Sequence, residues 1–184
     1  MKLAGIVYGM GQANAVDAML CVLADRLRSE GYRLAGAIQH NTAAPDSPCS
    51  DMTIEDLASA QRIDVSTPLE RAGGGCRLEA SALEDAAGLV AASLESEVDL
   101  VIINRFGKQE MAGSGFRGVI EAAVARDIPL LIALNGVHGQ MWEEFNGGLA
   151  VTLVPEPQAV EAWCRSVLTT VQKSRPGAAT MGTR

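Results

Sequence analysis

Residues 3–16, LAGIVYGMGQANAV, decide the architecture of this chain. The apolar run from Leu3 to Tyr8 stops at Gly9, which predicts a short strand buried on both faces, as parallel strands are. A glycine-containing turn follows. From residue 13 to 30 the apolar positions Val16, Met19, Leu20, Leu23 and Leu27 recur at helical spacing, and Gly31 is placed to end the helix. A buried strand that turns directly into a helix is the opening unit of an α/β sheet. Free N–H groups and the helix dipole at such a turn favour an anion.

The same alternation continues outward from this unit. Residues 33–39 (RLAGAIQ) predict a second strand, and 41–50 (NTAAPDSPCS) read as a loop by composition. Residues 51–66 predict two short strands around a turn at Ala58–Ala60, a small β-hairpin insertion. Residues 67–76 (TPLERAGGGC) read as a loop, leading to a helix over about 79–95 with Leu83, Ala87, Val90 and Leu94 on one face. DLVIIN at 99–104 is the strongest buried-strand signal. A helix at 115–126, a strand at 129–135, a short helix near 138–145, a strand at 149–153 and a helix at 157–172 complete the series. Alternating buried strands and helices predict a three-layer, mostly parallel α/β sheet. Residues 1–173 are expected to form one domain, and 174–184, which hold little to bury, a flexible tail.

Composition narrows the function classes. With 184 residues, 48% hydrophobic and 19 glycines, the chain is long enough to bury a core without disulfides or a structural metal. Aromatic residues are 4% of the total, so that core is aliphatic. The net charge of −7 argues against nucleic acid and anionic membranes as main partners. No apolar run approaches the ~20 residues of a membrane span, and the N-terminus reads as a strand rather than a secretion signal. A cytoplasmic location is expected. Cys21, Cys49, Cys76 and Cys164 include no C-x-x-C pair, and His40 and His138 are the two histidines, so a zinc site has little support. Cys21 and Cys164 fall in helical patterns and read as small core residues.

In open α/β sheets ligands bind beyond the carboxyl ends of the strands, so the turns there carry the candidate residues. The first is Gly9-Met10-Gly11-Gln12-Ala13-Asn14. A Walker loop reads GxxxxGK[ST], with Lys on the phosphates and the hydroxyl on Mg²⁺. In the frame that starts at Gly9, Asn14, Ala15 and Val16 stand where Gly, Lys and Ser/Thr belong. A tight turn without a ligand explains these residues about as well as anion binding does. The second is Asn104-Arg105-Phe106-Gly107-Lys108-Gln109-Glu110. There a neutral and a cationic residue stand where a phosphate-hydrolysing enzyme keeps its Mg²⁺-binding acid, so no Mg²⁺ site is expected. Arg105 and Lys108 are cations suited to an oxyanion. The third is Gly73-Gly74-Gly75-Cys76-Arg77, in which Arg77 can join the other cations if the loops converge, and Cys76 is a reactive thiol, a soft ligand or a small buried residue. Trp142 and Phe145, ahead of Asn146-Gly147-Gly148, read as packing and a helix stop.

These pieces together resemble a bacterial family of unknown function. The resemblance rests on AGIVYG with Asp17 in the helix after it, Gly36-Ala37-Ile38-Gln39, GGCRLE at 74–79, DLVIINRFGKQE at 99–110 and FNGG at 145–148. It covers roughly residues 3–165. That family is similar to the small P-loop nucleoside-triphosphatases in strand order and hairpin insertion, and departs from them at the Lys, the hydroxyl and the acidic metal ligand. Its members are often encoded beside molybdate-uptake or molybdenum-enzyme systems. The resemblance therefore implies a P-loop-like sheet and a link to molybdate or tungstate.

Three functions compete at this point. The leading one is a binding protein without turnover, in which the N–H groups of residues 10–14 with Arg77, Arg105 and Lys108 hold a small oxyanion or the phosphates of a nucleotide. The second is an assembly module acting through a protein partner; the low-charge helix faces are also compatible with a homo-oligomer. The third is a divergent phosphatase in which Glu110 orients water and Lys108 replaces the missing Lys.

Overall fold

The computed structural model describes residues 2–43, 50–68 and 76–174. The first unit folds as its sequence predicts, with strand β1 at Leu3–Tyr8 and helix α1 at Ala13–Ser29. Strand β2 (Leu34–Ala43) follows, and then the expected hairpin, β3 (Ser50–Asp56) and β4 (Arg62–Asp64). Two three-residue strands, β5 (Ser66–Pro68) and β6 (Cys76–Leu78), precede helix α2 (Ala80–Ser93). Strand β7 (Leu100–Phe106) runs into the short helices α3 (Lys108–Met111) and α4 (Arg117–Ala125). Strand β8 (Leu130–Asn135) is followed by a 3-10 turn at Gly136–His138 and helix α5 (Gly139–Asn146). Strand β9 (Val151–Leu153) and helix α6 (Pro157–Ser174) end the described chain.

The main sheet has seven strands in the order β4-β3-β2-β7-β8-β1-β9. From β2 to β9 all neighbours run parallel, while β3 and β4 extend the edge antiparallel. The central strands are aliphatic throughout because both faces are covered, and successive side chains enter opposite cores. Val101, Ile103, Leu130 and Ile132 face α2, α4 and Trp142 of α5. Leu100, Ile102, Leu131, Ala4 and Ile6 face α1 and α6. Two glycines make this packing feasible. A Cβ on Gly36, at φ +117°, would stand 2.0 Å from the carbonyl oxygen of Ile102. One on Gly5 would stand 2.6 Å from Nε1 of the fully buried Trp142.

Three local expectations are corrected. The segment expected to loop from residue 41 stays in β2 through Ala43, because β3 pairs with it from Ala37↔Asp56 to Ala43↔Ser50. Those pairings override the polar composition of His40, Asn41 and Thr42. Within 67–76, Ser66–Pro68 and Cys76–Leu78 form a two-stranded antiparallel sheet too short to show periodicity. The strand predicted to end at Asn104 continues in β7 to Phe106, and the chain then winds into α3. Residues 73–75 and 175–184 lie outside the described residues. Among the described residues no helix is long and apolar enough to cross a membrane.

Candidate functional site

The passage from β1 to β2 skips the positions later filled by β7 and β8, so the carboxyl ends of these strands surround a gap. A cleft of about 320 Å³ occupies it. Tyr8 from β1, Gln39 from β2, Asn104 and Arg105 from β7, and Asn135 from β8 reach it from the strand ends. Lys108 and His138 stand on the elements that leave β7 and β8, and the His138 ring lies against Gly107. The position agrees with the general rule for open α/β sheets.

Two carboxylates beside the cleft are already taken. Asp17, on α1, is 7% exposed and receives Arg105 at 2.6 Å and the Asn104 side-chain amide at 2.9 Å. Burial pushes its carboxyl up, and the Arg105 charge and the Asn104 bond offset this in part. Arg105 also donates to the Tyr8 hydroxyl at 3.1 Å, while its Nε is buried without a partner. Asn104 accepts the backbone N–H of Gln39 at 2.9 Å and so ties β7 to β2. Glu110, 5% exposed, accepts the N–H of Gly107 at 2.8 Å and that of Phe116 at 3.2 Å. It closes the α3 segment on itself, and burial pushes its carboxyl up.

The turn after β1 is tight and exposed. The Gln12 side chain accepts the Gly9 N–H at 2.7 Å, the Gln12 N–H bonds the Gly9 carbonyl at 3.3 Å, and Met10 is 89% exposed. Residues 9–14 are not in the wall of the cleft. The structure thus brings Asn104, Arg105, Lys108 and Glu110 together and sets Gly9, Met10, Gly11, Gln12, Ala13 and Asn14 apart from them. The side chains of Cys76 and Arg77 lie outside the described residues. Arg105 is paired with Asp17 and the Tyr8 hydroxyl, and each Glu110 oxygen accepts one backbone N–H. Tyr8, Asn135 and His138 are cleft residues that the sequence reading passed over. Tyr8 and Asn135 are the last residues of their strands, so the carboxyl-edge rule could have found them.

The fold implies a test for Mg²⁺. Asp17, the carboxylate bonded to Asn104, is paired with Arg105, and Val16 beside it has no hydroxyl. These residues do not fit the ion.

A second polar cluster lies on α1, β2 and β3. His40 Nε2 meets Glu55 at 2.9 Å, its Nδ1 is 3.9 Å from the Cys21 sulfur, and Arg28 reaches Glu55 at 3.0 Å. Burial pushes the Glu55 carboxyl up, but the Arg28 and His40 bonds outweigh it and hold it below the usual range. The same burial pushes the Cys21 thiol up, so it stays protonated at neutral pH.

The sheet and helices define a P-loop NTPase-like fold. THEP1 from the hyperthermophile Aquifex aeolicus has a similar solved structure, with a TM-score of 0.58 at 16% identity over 94% of this chain and 99% of that one. Residues 3–163 match the family described as Protein of unknown function (DUF2478), and the chain belongs to it. It is also 33% identical over 174 residues to the molybdenum import ATP-binding protein ModC 2 of Bradyrhizobium diazoefficiens, covering 95% of this chain. The matched segment is 19% of that relative's length.

Proposed function

We propose that the chain is a non-hydrolysing protein that binds a small anion in the cleft beyond β1, β7 and β8, in a process linked to molybdenum. One observation carries this reading: the carboxylates at the cleft hold internal partners, as do Arg105, Asn104 and Gln39, while four further donors of its lining remain uncommitted. Among the described residues Lys108 and His138 have no bonded partner, the Asn135 amide N–H₂ is unused, and the Tyr8 hydroxyl retains its proton to donate. Donors converging on a partly enclosed site favour a negatively charged ligand. The Asp17 carboxylate is held by Arg105, and this reading therefore has the anion bind without Mg²⁺. The molybdenum link rests on the similarity to ModC 2.

The test is a thermal-shift series with molybdate, tungstate, sulfate, phosphate, ATP and GTP, each with Mg²⁺ or a chelator. A ligand that binds the folded state raises the melting temperature by mass action. The expected result is a shift that persists in chelator and is reduced by Lys108→Glu. A shift that requires both Mg²⁺ and a nucleotide, with phosphate release, would overturn the proposal. A second reading has support in the same similarity, since the matched segment belongs to a longer ATP-binding protein: the domain works by docking to a partner. Stable co-purification with such a protein, without any anion effect, would favour it.

A further inference from the structure

We infer that the cleft's ligand is an organic anion, a ring or chain bearing one acidic group, rather than a bare tetrahedral oxyanion. The inference rests on the anion-binding reading above and concerns the remainder of the ligand. At about 320 Å³ the cleft has the volume of roughly ten waters and lies at the lower end of small-molecule sites. A tetrahedral oxyanion fills only a small part of that space.

The walls are divided by chemistry. Ala37, Ile54, Leu83, Phe106 and Phe116 in its lining all belong to the core on the α2 and α4 face of the sheet. Tyr8 and Asn135 at the ends of β1 and β8, Lys108 on α3 and His138 in the 3-10 turn supply donors. A bare dianion would be held on one side and would lose hydration against hydrocarbon on the other without compensation. An apolar body instead gains from burial on Ile54, Leu83 and the phenyl rings while its acidic group meets the donors. Such division of a pocket into an apolar floor and a few placed polar groups is the usual design of small-molecule sites.

Matched probes separate the two ideas. Calorimetric titrations of the full chain would compare 1-naphthyl phosphate with inorganic phosphate, with molybdate and with neutral 1-naphthalenemethanol. The aryl phosphate is expected to bind at least ~10-fold more tightly than each of the other three, a difference of about 1.4 kcal/mol. Lys108→Glu should weaken it and leave the neutral probe unchanged. In methyl-labelled wild-type protein, the Ile54 and Leu83 signals should shift on its addition. Molybdate or phosphate binding as tightly as the aryl phosphate would overturn this inference and leave the anion reading standing. If the neutral probe equals the aryl phosphate, or if no probe binds, both fall. Binding with unmoved Ile54 and Leu83 methyls would overturn the assignment to this cleft.

Discussion

Asp17 and Arg105 are the pair on which the site turns. Asp17 lies on α1 one residue past the position read as the Walker hydroxyl, Arg105 lies on β7 one past Asn104, and their ion pair links the two elements. The Asp17 side chain is 10% exposed, whereas the guanidinium side chain is 34% exposed. Solvent therefore screens part of the attraction. Arg105→Ala leaves Asp17 buried without its cation and should cost about 1–3 kcal/mol of stability. Asp17→Asn should cost less. The double variant should lose less than the sum of the two, with a coupling of about 1 kcal/mol or more. Urea unfolding of all four proteins measures this cycle, and strict additivity would mean that the pair contributes no interaction. The strand-end position of Arg105 was legible from its hydrophobic run. Its partner was not, because 88 residues separate the two and a pairing at that distance leaves no local pattern.

Helix α3 shows how a short element is held by one side chain. Four residues have too few internal hydrogen bonds to persist alone, and Glu110 ties Gly107 to Phe116 across it. Burial raises the Glu110 carboxyl above its ordinary value of 4.5, although its backbone donors pull the other way. The folded state then holds the Glu110 proton more tightly than the unfolded chain does. Its contribution is full below about pH 4.5 and is lost as pH rises through the folded value. Asp17 acts with the same sign and Glu55 with the opposite one, so only a comparison with a non-titrating variant isolates Glu110. The stability of wild type relative to Glu110→Gln should be greater near pH 4.5 than near pH 7.5, as read from denaturant midpoints. A difference that does not change with pH would show that Glu110 keeps its ordinary affinity for protons. The elements that sequence revealed include those with sustained periodicity or long aliphatic runs, namely α1, α2, α6, β1, β7 and β8, and also β2, the β3–β4 hairpin, α4, α5 and β9. Strands β5 and β6 are set by pairing with each other and helix α3 by the two Glu110 bonds, neither of which leaves a local pattern, and β2 outran its composition because β3 was available to pair with it.

At the scale of the molecule, the sheet separates two cores, and α6 is indispensable to one of them. Val160, Trp163, Cys164, Val167 and Leu168 pack with α1 against the face formed by Ala4, Ile6, Leu131 and Ala133. The family match ends at residue 163, inside α6, but the physical unit must extend at least to Leu168, which is fully buried. Burying Val160, Trp163, Val167 and Leu168 is worth roughly 1.5–3 kcal/mol each. That total, roughly 6–12 kcal/mol, is comparable with the ~5–15 kcal/mol net stability of a whole domain. A chain ending at Glu156 should therefore lose cooperative folding rather than merely melt a few degrees lower. The chain has two tryptophans, Trp142 and Trp163, so in the truncated protein Trp142 is the sole reporter. Trp142 belongs to the opposite core and is fully buried in the intact fold. Red-shifted Trp142 emission and the absence of a thermal transition would show that loss of one layer unfolds the other. Blue-shifted emission with a sharp transition would show that the α2–α4 face folds independently, and that the two cores are separable units rather than one.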